Sequence, residues 1–306
     1  MIIVTSYNSP DLDGIACSIA YAELLNRKNI PAKSVYFGTL GLEVDFVKNY
    51  TQKLPTEEHT GEYESDIEFV LVDTADPDAI EPTIPVEKVK EIFDHRQLFF
   101  VDKFVNAKNH IELVGSCATL ITEEFIKSNY KPSSNTSTYL YSAIVSNTIN
   151  FKNSVTTQRD IDAANWLKNV TGLTDDYTRQ MFEAKSNITS ENLYDVLAQD
   201  FAVKAIKGKN IGITQIEMVD VDRMSSDLNT TLLQTLNRFK SENKLDYVFF
   251  TGIDIIKGFN IFYTIDADSK SIFSKALGIA DLAAGYKTDA IIMRKQIWPK
   301  LESALN

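Results

Sequence analysis

SYNSPDLDG (6–14), FVLVDTAD (69–76) and EIFDHR (91–96) share one design, an apolar run that stops on an acid. Met1–Ser6 leads to Asp11 and Asp13, Ile67–Val72 delivers Asp73, and Val89–Phe93 delivers Asp94 and His95. If the runs are parallel strands, their ends meet at the carboxyl edge of one sheet, where open α/β folds bind ligands. Four carboxylates and an imidazole gathered there repel one another unless a cation sits among them. The cluster therefore reads as a hard-metal site for phosphate chemistry. Carboxylate oxygens suit Mg²⁺ and Mn²⁺, and the imidazole tilts the choice toward Mn²⁺. The same residues also suit plain helix starts and turns, with Asp13 capping a helix from Gly14 and Asp11 fixing a turn.

Bulk properties narrow the classes. The 306 residues exceed one typical core, so two domains are expected. A net charge of −11 argues against long nucleic acid or an anionic membrane, because a grip on many phosphates needs a basic stripe. It leaves room for a small phosphorylated substrate bound through metal ions. No apolar run approaches a membrane span, and MIIVTSY (1–7) has no basic, cleavable leader pattern. Two cysteines, Cys17 and Cys117, fit a reducing compartment better than a disulfide framework, so a cytoplasmic location is expected.

The first half alternates strand and helix. Gly14–Asn26 predicts a helix, Lys33–Phe37 a strand, Leu42–Tyr50 a helix and Thr51–Ser65 a polar surface loop. After the strands ending at Asp73 and Asp94, His110–Val114 predicts another, running through Gly115 into the helix of CATLITEEFI (117–126). This rhythm predicts a doubly wound parallel sheet. Helical segments follow to about Ala184, and KSNITSEN (185–192) reads as a hinge between domains at 1–186 and 193–306. Beyond it, Phe201–Ile206 and Asn210–Val219 predict a hairpin across Lys207–Gly208–Lys209. Asp222–Lys244 predicts a helix with Asp227 near its start as cap. Tyr247–Thr251, Phe259–Thr264 and Ala290–Met293 predict strands, Ser269–Leu277 a short helix, and a last helix closes the chain. The second domain is thus a smaller, mixed-sheet α/β unit.

The ordered motifs PDLDG (10–14), VLVD (70–73), DHR (94–96) and VGSCAT (114–119) resemble those of the DHH phosphoesterase superfamily. The carboxyl half, closing with IIMRKQIWPKLESAL (291–305), is similar to the DHHA2 domain of that superfamily's second branch. This branch holds the family II, manganese-dependent inorganic pyrophosphatases, the exopolyphosphatases and the prune proteins. SAIVSNTINFKNSVTTQRDIDAA (142–164) resembles the corresponding pyrophosphatase segment, so the likeness covers nearly the whole chain.

The resemblance implies a phosphoanhydride hydrolase acting on pyrophosphate or short-chain polyphosphate in a cleft between the domains. It implies one or two divalent ions, Mn²⁺ or else Mg²⁺ or Co²⁺, on Asp11, Asp13, Asp73, His95 and Asn147. Asp73 and His95, with Arg294 and Lys295, would be the catalytic set, and Asp94 would orient His95. Arg96, Ser116, Lys204, Arg294 and Lys295 would bind the substrate, cations neutralising charge that develops on transfer.

Three positions depart from the pyrophosphatase pattern. Tyr7 stands for a metal-binding histidine, Asn147 for a ligand aspartate, and Ala202 for a substrate lysine, with Lys204 on the same strand face as its substitute. Arg96 replaces the second histidine of Asp-His-His, as in the prune proteins. Two other readings follow from these changes: a phosphodiesterase on cyclic or short oligonucleotides, and a degenerate, non-catalytic protein that binds a phosphorylated ligand. Edge strands of the first domain are compatible with a homodimer.

Overall fold

The computed structural model describes residues 1–59, 66–96 and 101–305, which form two compact units, Met1–Ala184 and Lys185–Asn306. In the first unit β1 (Ile2–Thr5) feeds α1 (Leu12–Arg27), then β2 (Ala32–Tyr36), α2 (Leu42–Thr51) and the two-residue β3 (Glu57–Glu58). Next come β4 (Glu68–Val72), β5 (Val89–Asp94), β6 (Lys108–Ile111) and α3 (Cys117–Lys127). Three helices complete it: α4 (Ser134–Asn147), α5 (Gln158–Thr171) and α6 (Asp175–Lys185). The described strands make one sheet in the order β3-β2-β1-β4-β5-β6, and every pairing is parallel.

Runs such as Phe69–Val72 are buried on both faces, as a helix-covered parallel sheet requires. Ile3, Phe69, Leu71, Ile92 and Phe104 share one core on this sheet. The helix α1 packs so close to β1 that a Cβ on Gly14 would lie 2.5 Å from the Ser6 hydroxyl, so only glycine fits there. Two expectations shift. The last strand is Lys108–Ile111 rather than His110–Val114, and β3 interrupts the expected Thr51–Ser65 loop, of which residues 60–65 lie outside the described residues.

The second unit opens with α7 (Leu193–Gln199), followed by β7 (Phe201–Ile206), β8 (Lys209–Met218), α8 (Asn229–Glu242) and β9 (Tyr247–Asp254). It closes with β10 (Phe259–Tyr263), α9 (Ala267–Leu277), β11 (Tyr286–Lys287) and α10 (Arg294–Ala304). Its sheet runs β11-β10-β9-β8-β7, parallel only between β8 and β9. Lys207 and Gly208, with φ of 50° and 76°, give the β7–β8 hairpin the left-handed turn that suits strand twist. One face carries Leu232, Leu236, Phe239 and Phe250, and the other Phe249, Phe262, Phe273 and Trp298.

Two sequence expectations fail in this unit. Asp227 does not cap α8; Leu228 holds the cap position, and Asp227 lies 3.9 Å from Arg223. Ala290–Met293 forms no strand, because the Asn260 side-chain amide takes over the ladder. Its Nδ2 donates to the Ile292 carbonyl and its Oδ1 accepts from the Ile292 N–H, each at 2.8 Å. Among the described residues no helix is long and apolar enough to cross a membrane.

Candidate metal centre

The parallel register of the first unit brings the ends of β4 and β5 beside the start of α1, which follows β1. Asp73 occupies the left-handed region, with φ of 56°, immediately after β4, a conformation aspartate tolerates better than most residues. That turn aims its carboxylate inward, where it is 3 % exposed. Asp13, in the first turn of α1, is 1 % exposed. His95 leaves the end of β5 and its Nδ1 lies 3.1 Å from the Val114 carbonyl. A carbonyl only accepts, so Nδ1 carries a proton and Nε2 is the nitrogen that faces the cluster, open to a metal once its own proton leaves. Nε2 lies 3.3 Å from Asp73 Oδ1 and 4.0 Å from Asp13 Oδ2.

Asp13, Asp73 and His95 each offer a ligand atom within 4.8 Å of the others, the one such group among the described residues. Burial and the Asp13 carboxylate push the Asp73 carboxyl up to about 7, against the pull of His95, with Asp11 adding to the rise and Arg96 opposing it. Burial works against a charged His95, yet Asp73 and Asp13 outweigh it and lift the imidazole to about 9. Asp73 thus pays for its burial beside Asp13, and the imidazole is the group that answers it. Two carboxylates and an imidazole nitrogen form a donor set that fits Mn²⁺ or Mg²⁺.

The remaining residues of the expected site fall into different roles. Asp11 caps α1, its Oδ1 accepting from the N–H groups of Asp13 and Gly14 at 2.8 and 3.1 Å. The capping alternative for this loop is therefore realised by Asp11 and not by Asp13. Asp13 instead reaches α3: Oδ1 accepts from Ser116 Oγ and Ala118 N, and Oδ2 from Cys117 N, all between 2.8 and 2.9 Å. The start of α3 is thus satisfied by a protein carboxylate, and Ser116, fully buried, is bound to Asp13 rather than open to a substrate.

Asn147, the last residue of α4, donates from Nδ2 to Asp13 Oδ2 at 2.6 Å. Asp94 does not orient His95, since that part falls to the Val114 carbonyl. The Asp94 Oδ1 turns back to accept from Arg96 N and Nε at 3.0 and 3.1 Å, an Asx-type turn that the two-residue spacing favours. The Arg96 guanidinium also donates to the Asp73 carbonyl and stands 3.5 Å from Asp73 Oδ1.

Arg294, Lys295 and Lys204 belong to the second unit. Arg294 begins α10, its backbone N–H donating to Gln215 Oε1 at 2.7 Å and its guanidinium to the Asp200 carbonyl and carboxylate, each at 2.5 Å. Lys295 follows it and is exposed. Lys204 lies on β7 with Nζ 5.2 Å from the centroid of the Trp298 ring.

One buried acid escaped the sequence reading. The Asp160 carboxylate accepts from Gly115 N, Thr119 Oγ1 and Thr157 N, and a Cβ at Gly115 would come within 2.9 Å of it. The Thr157-x-x-Asp160 spacing before an apolar helix was its legible signal.

Known proteins share similarity with this chain along its length. Residues 179–304 match the DHHA2 domain. A manganese-dependent inorganic pyrophosphatase of Methanothrix thermoacetophila is 27% identical over 311 residues, covering 99% of this chain and 98% of its own. One of Bacillus subtilis is 23% identical over 307 residues, with 99% and 98% covered. The carboxyl-terminal part of the chain is thus similar to the DHHA2 domain, and the whole chain is similar to manganese-dependent inorganic pyrophosphatases. The crystal structure of a Methanococcus jannaschii protein, itself a proposed family II inorganic pyrophosphatase, superposes on this chain with a TM-score of 0.76. That pair is 24% identical and covers 99% of each chain, so the α/β fold is shared from end to end.

Proposed function

We propose that this protein is a metal-dependent phosphohydrolase that splits pyrophosphate, with short-chain polyphosphate as a further substrate. The observation that carries the reading is the convergence of His95 Nε2 with the Asp13 and Asp73 carboxylates. The chain also aligns over its full length with manganese-dependent pyrophosphatases, which makes Mn²⁺ the expected ion. An ion on Asp13, Asp73 and His95 would polarise phosphoryl oxygens and lower the pKa of a water beside them.

The protein's own groups supply the rest. Val114 holds His95 in the tautomer that offers Nε2. Arg96, about half-exposed, brings a permanent cation to the rim of the cluster, where a phosphate oxygen gains from it. We assign Arg294 and Lys295 to charge neutralisation of the substrate, with Lys204 in support. Two cations in the first turn of α10 work against the helix dipole, a cost that a bound phosphate offsets. The free, buried Cys17 and Cys117 fit a reducing compartment such as the cytoplasm.

Purified, chelator-treated protein assayed against pyrophosphate, tripolyphosphate and a cyclic dinucleotide, with Mn²⁺, Mg²⁺ or Co²⁺ restored, tests the reading. Phosphate release from pyrophosphate that returns with Mn²⁺ is the expected result. Turnover of the dinucleotide alone would move the assignment to phosphodiesters, and no metal-dependent turnover on any of the three would sink the enzyme reading.

A further inference from the structure

We propose that the cluster takes a single divalent ion, because Arg96 and Tyr7 hold the charge and the room that a second ion would need. The inference rests on the metal-dependent reading above and fixes its stoichiometry. Three ligand atoms converge on one point, from Asp13, Asp73 and His95. A second ion beside Asp73 would have to draw on what is left around it, and those groups are already engaged.

On one side stands Asp11, which caps α1 and is not one of the three converging groups. Tyr7 closes over it. The phenol oxygen accepts from Asp11 N at 3.1 Å. On the other side is Arg96, its guanidinium bonded to the Asp73 carbonyl and to Asp94 and standing 3.5 Å from Asp73 Oδ1. A guanidinium is never deprotonated in this setting, so it is a fixed cation where a second metal would seek the same oxygen. Asn147 completes the pattern: an amide hydrogen, not a carboxylate oxygen, faces Asp13.

Titration of the metal-stripped full chain with Mn²⁺, followed by calorimetry and by electron paramagnetic resonance, reads the stoichiometry directly. One ion per chain with the six-line signal of an isolated Mn²⁺ is the expected result. Two ions per chain, or the signal of a spin-coupled pair, would overturn the inference while leaving the phosphohydrolase reading intact. No uptake at all would overturn both. Arg96→Gln removes the fixed cation and keeps a donor toward Asp94, so the one ion should bind about tenfold tighter. Weaker binding would count against the role given to Arg96. The double variant Tyr7→His with Arg96→His, checked for cooperative unfolding, should take up a second ion. A folded double variant that still takes only one would show that these two residues are not what excludes it.

Discussion

The carboxyl edge of the first sheet and the start of α10 in the second unit are both crowded with charge, and they treat it in opposite ways. Near α10 two strong cations meet acids: Arg294 is held by Asp200, and Lys185 lies 3.2 Å from Glu217. At the sheet edge Asp13 and Asp73 are almost wholly buried, and the groups that answer them are backbone N–H groups, hydroxyls, one amide, one imidazole and one arginine. Burial makes unpaired charge far more costly than exposure does. An acid cluster kept at that cost, where burial and the Asp13 charge lift Asp73 to about 7, is where a cation gains most. At Asp200 partial burial also raises the carboxyl, to about 6, but there a guanidinium is bonded directly to the carboxylate.

The comparison breaks first at Asp73. Asn in its place keeps the left-handed backbone and removes only the charge. Mn²⁺ affinity should fall by at least roughly 100-fold, the upper end of what losing a ligand's supporting partner costs. Calorimetric titration checks it, and unchanged uptake would mean that the acid edge is not the cation site.

Asp13→Asn comes next in size and acts on stability. Its two oxygens accept four strong donors, three of them from the start of α3, and an amide would turn its own hydrogens toward some of these. Leaving buried donors unsatisfied costs about 2 kcal/mol, readable as a lower denaturant midpoint without metal. A loss well under 1 kcal/mol would show that α3 does not depend on this carboxylate.

Asn147→Asp should change sign with conditions. Without metal it sets one carboxylate against another across the present 2.6 Å contact and should lower stability by about 1 kcal/mol. With saturating Mn²⁺ the new oxygen gains a cation, and the variant should become the more stable form. Thermal melts in chelator and in Mn²⁺ separate the two; a variant unstable in both would place Asn147 outside the metal's reach.

How much of this was legible depends on whether the deciding contact is local. The apolar runs before Asp73 and Asp94 are local signals, and with the βαβ rhythm they are enough for a parallel sheet ending in acids. The start of β6 was misplaced because Lys108–Ile111 is a polar edge strand with little apolar alternation, while the apolar Leu113–Val114 lies just beyond it. Ala290–Met293 has strand-like composition, but the amide of Asn260, some 30 residues earlier, takes the bonds a neighbour would make. Asp13 is the sharpest case. Its position in PDLDG marks it as a candidate ligand, yet its bonds to α3 join residues more than 100 positions apart, which no spacing rule reaches.

Asp200→Asn supplies the smallest effect and the control. The Asp200 carboxylate is 45 % exposed, so solvent screens its attraction for Arg294. An asparagine Oδ1 still accepts from the guanidinium, and the backbone carbonyl at 200 keeps its own bond from the Arg294 NH1 group. Stability should therefore change by less than about 1 kcal/mol, and Mn²⁺ uptake not at all. Set beside the loss expected for Asp13→Asn, a single uncharged replacement of the same kind, this outcome would attribute the difference to burial and not to the residue type. A loss at Asp200 as large as that at Asp13 would erase the distinction between the two charge clusters.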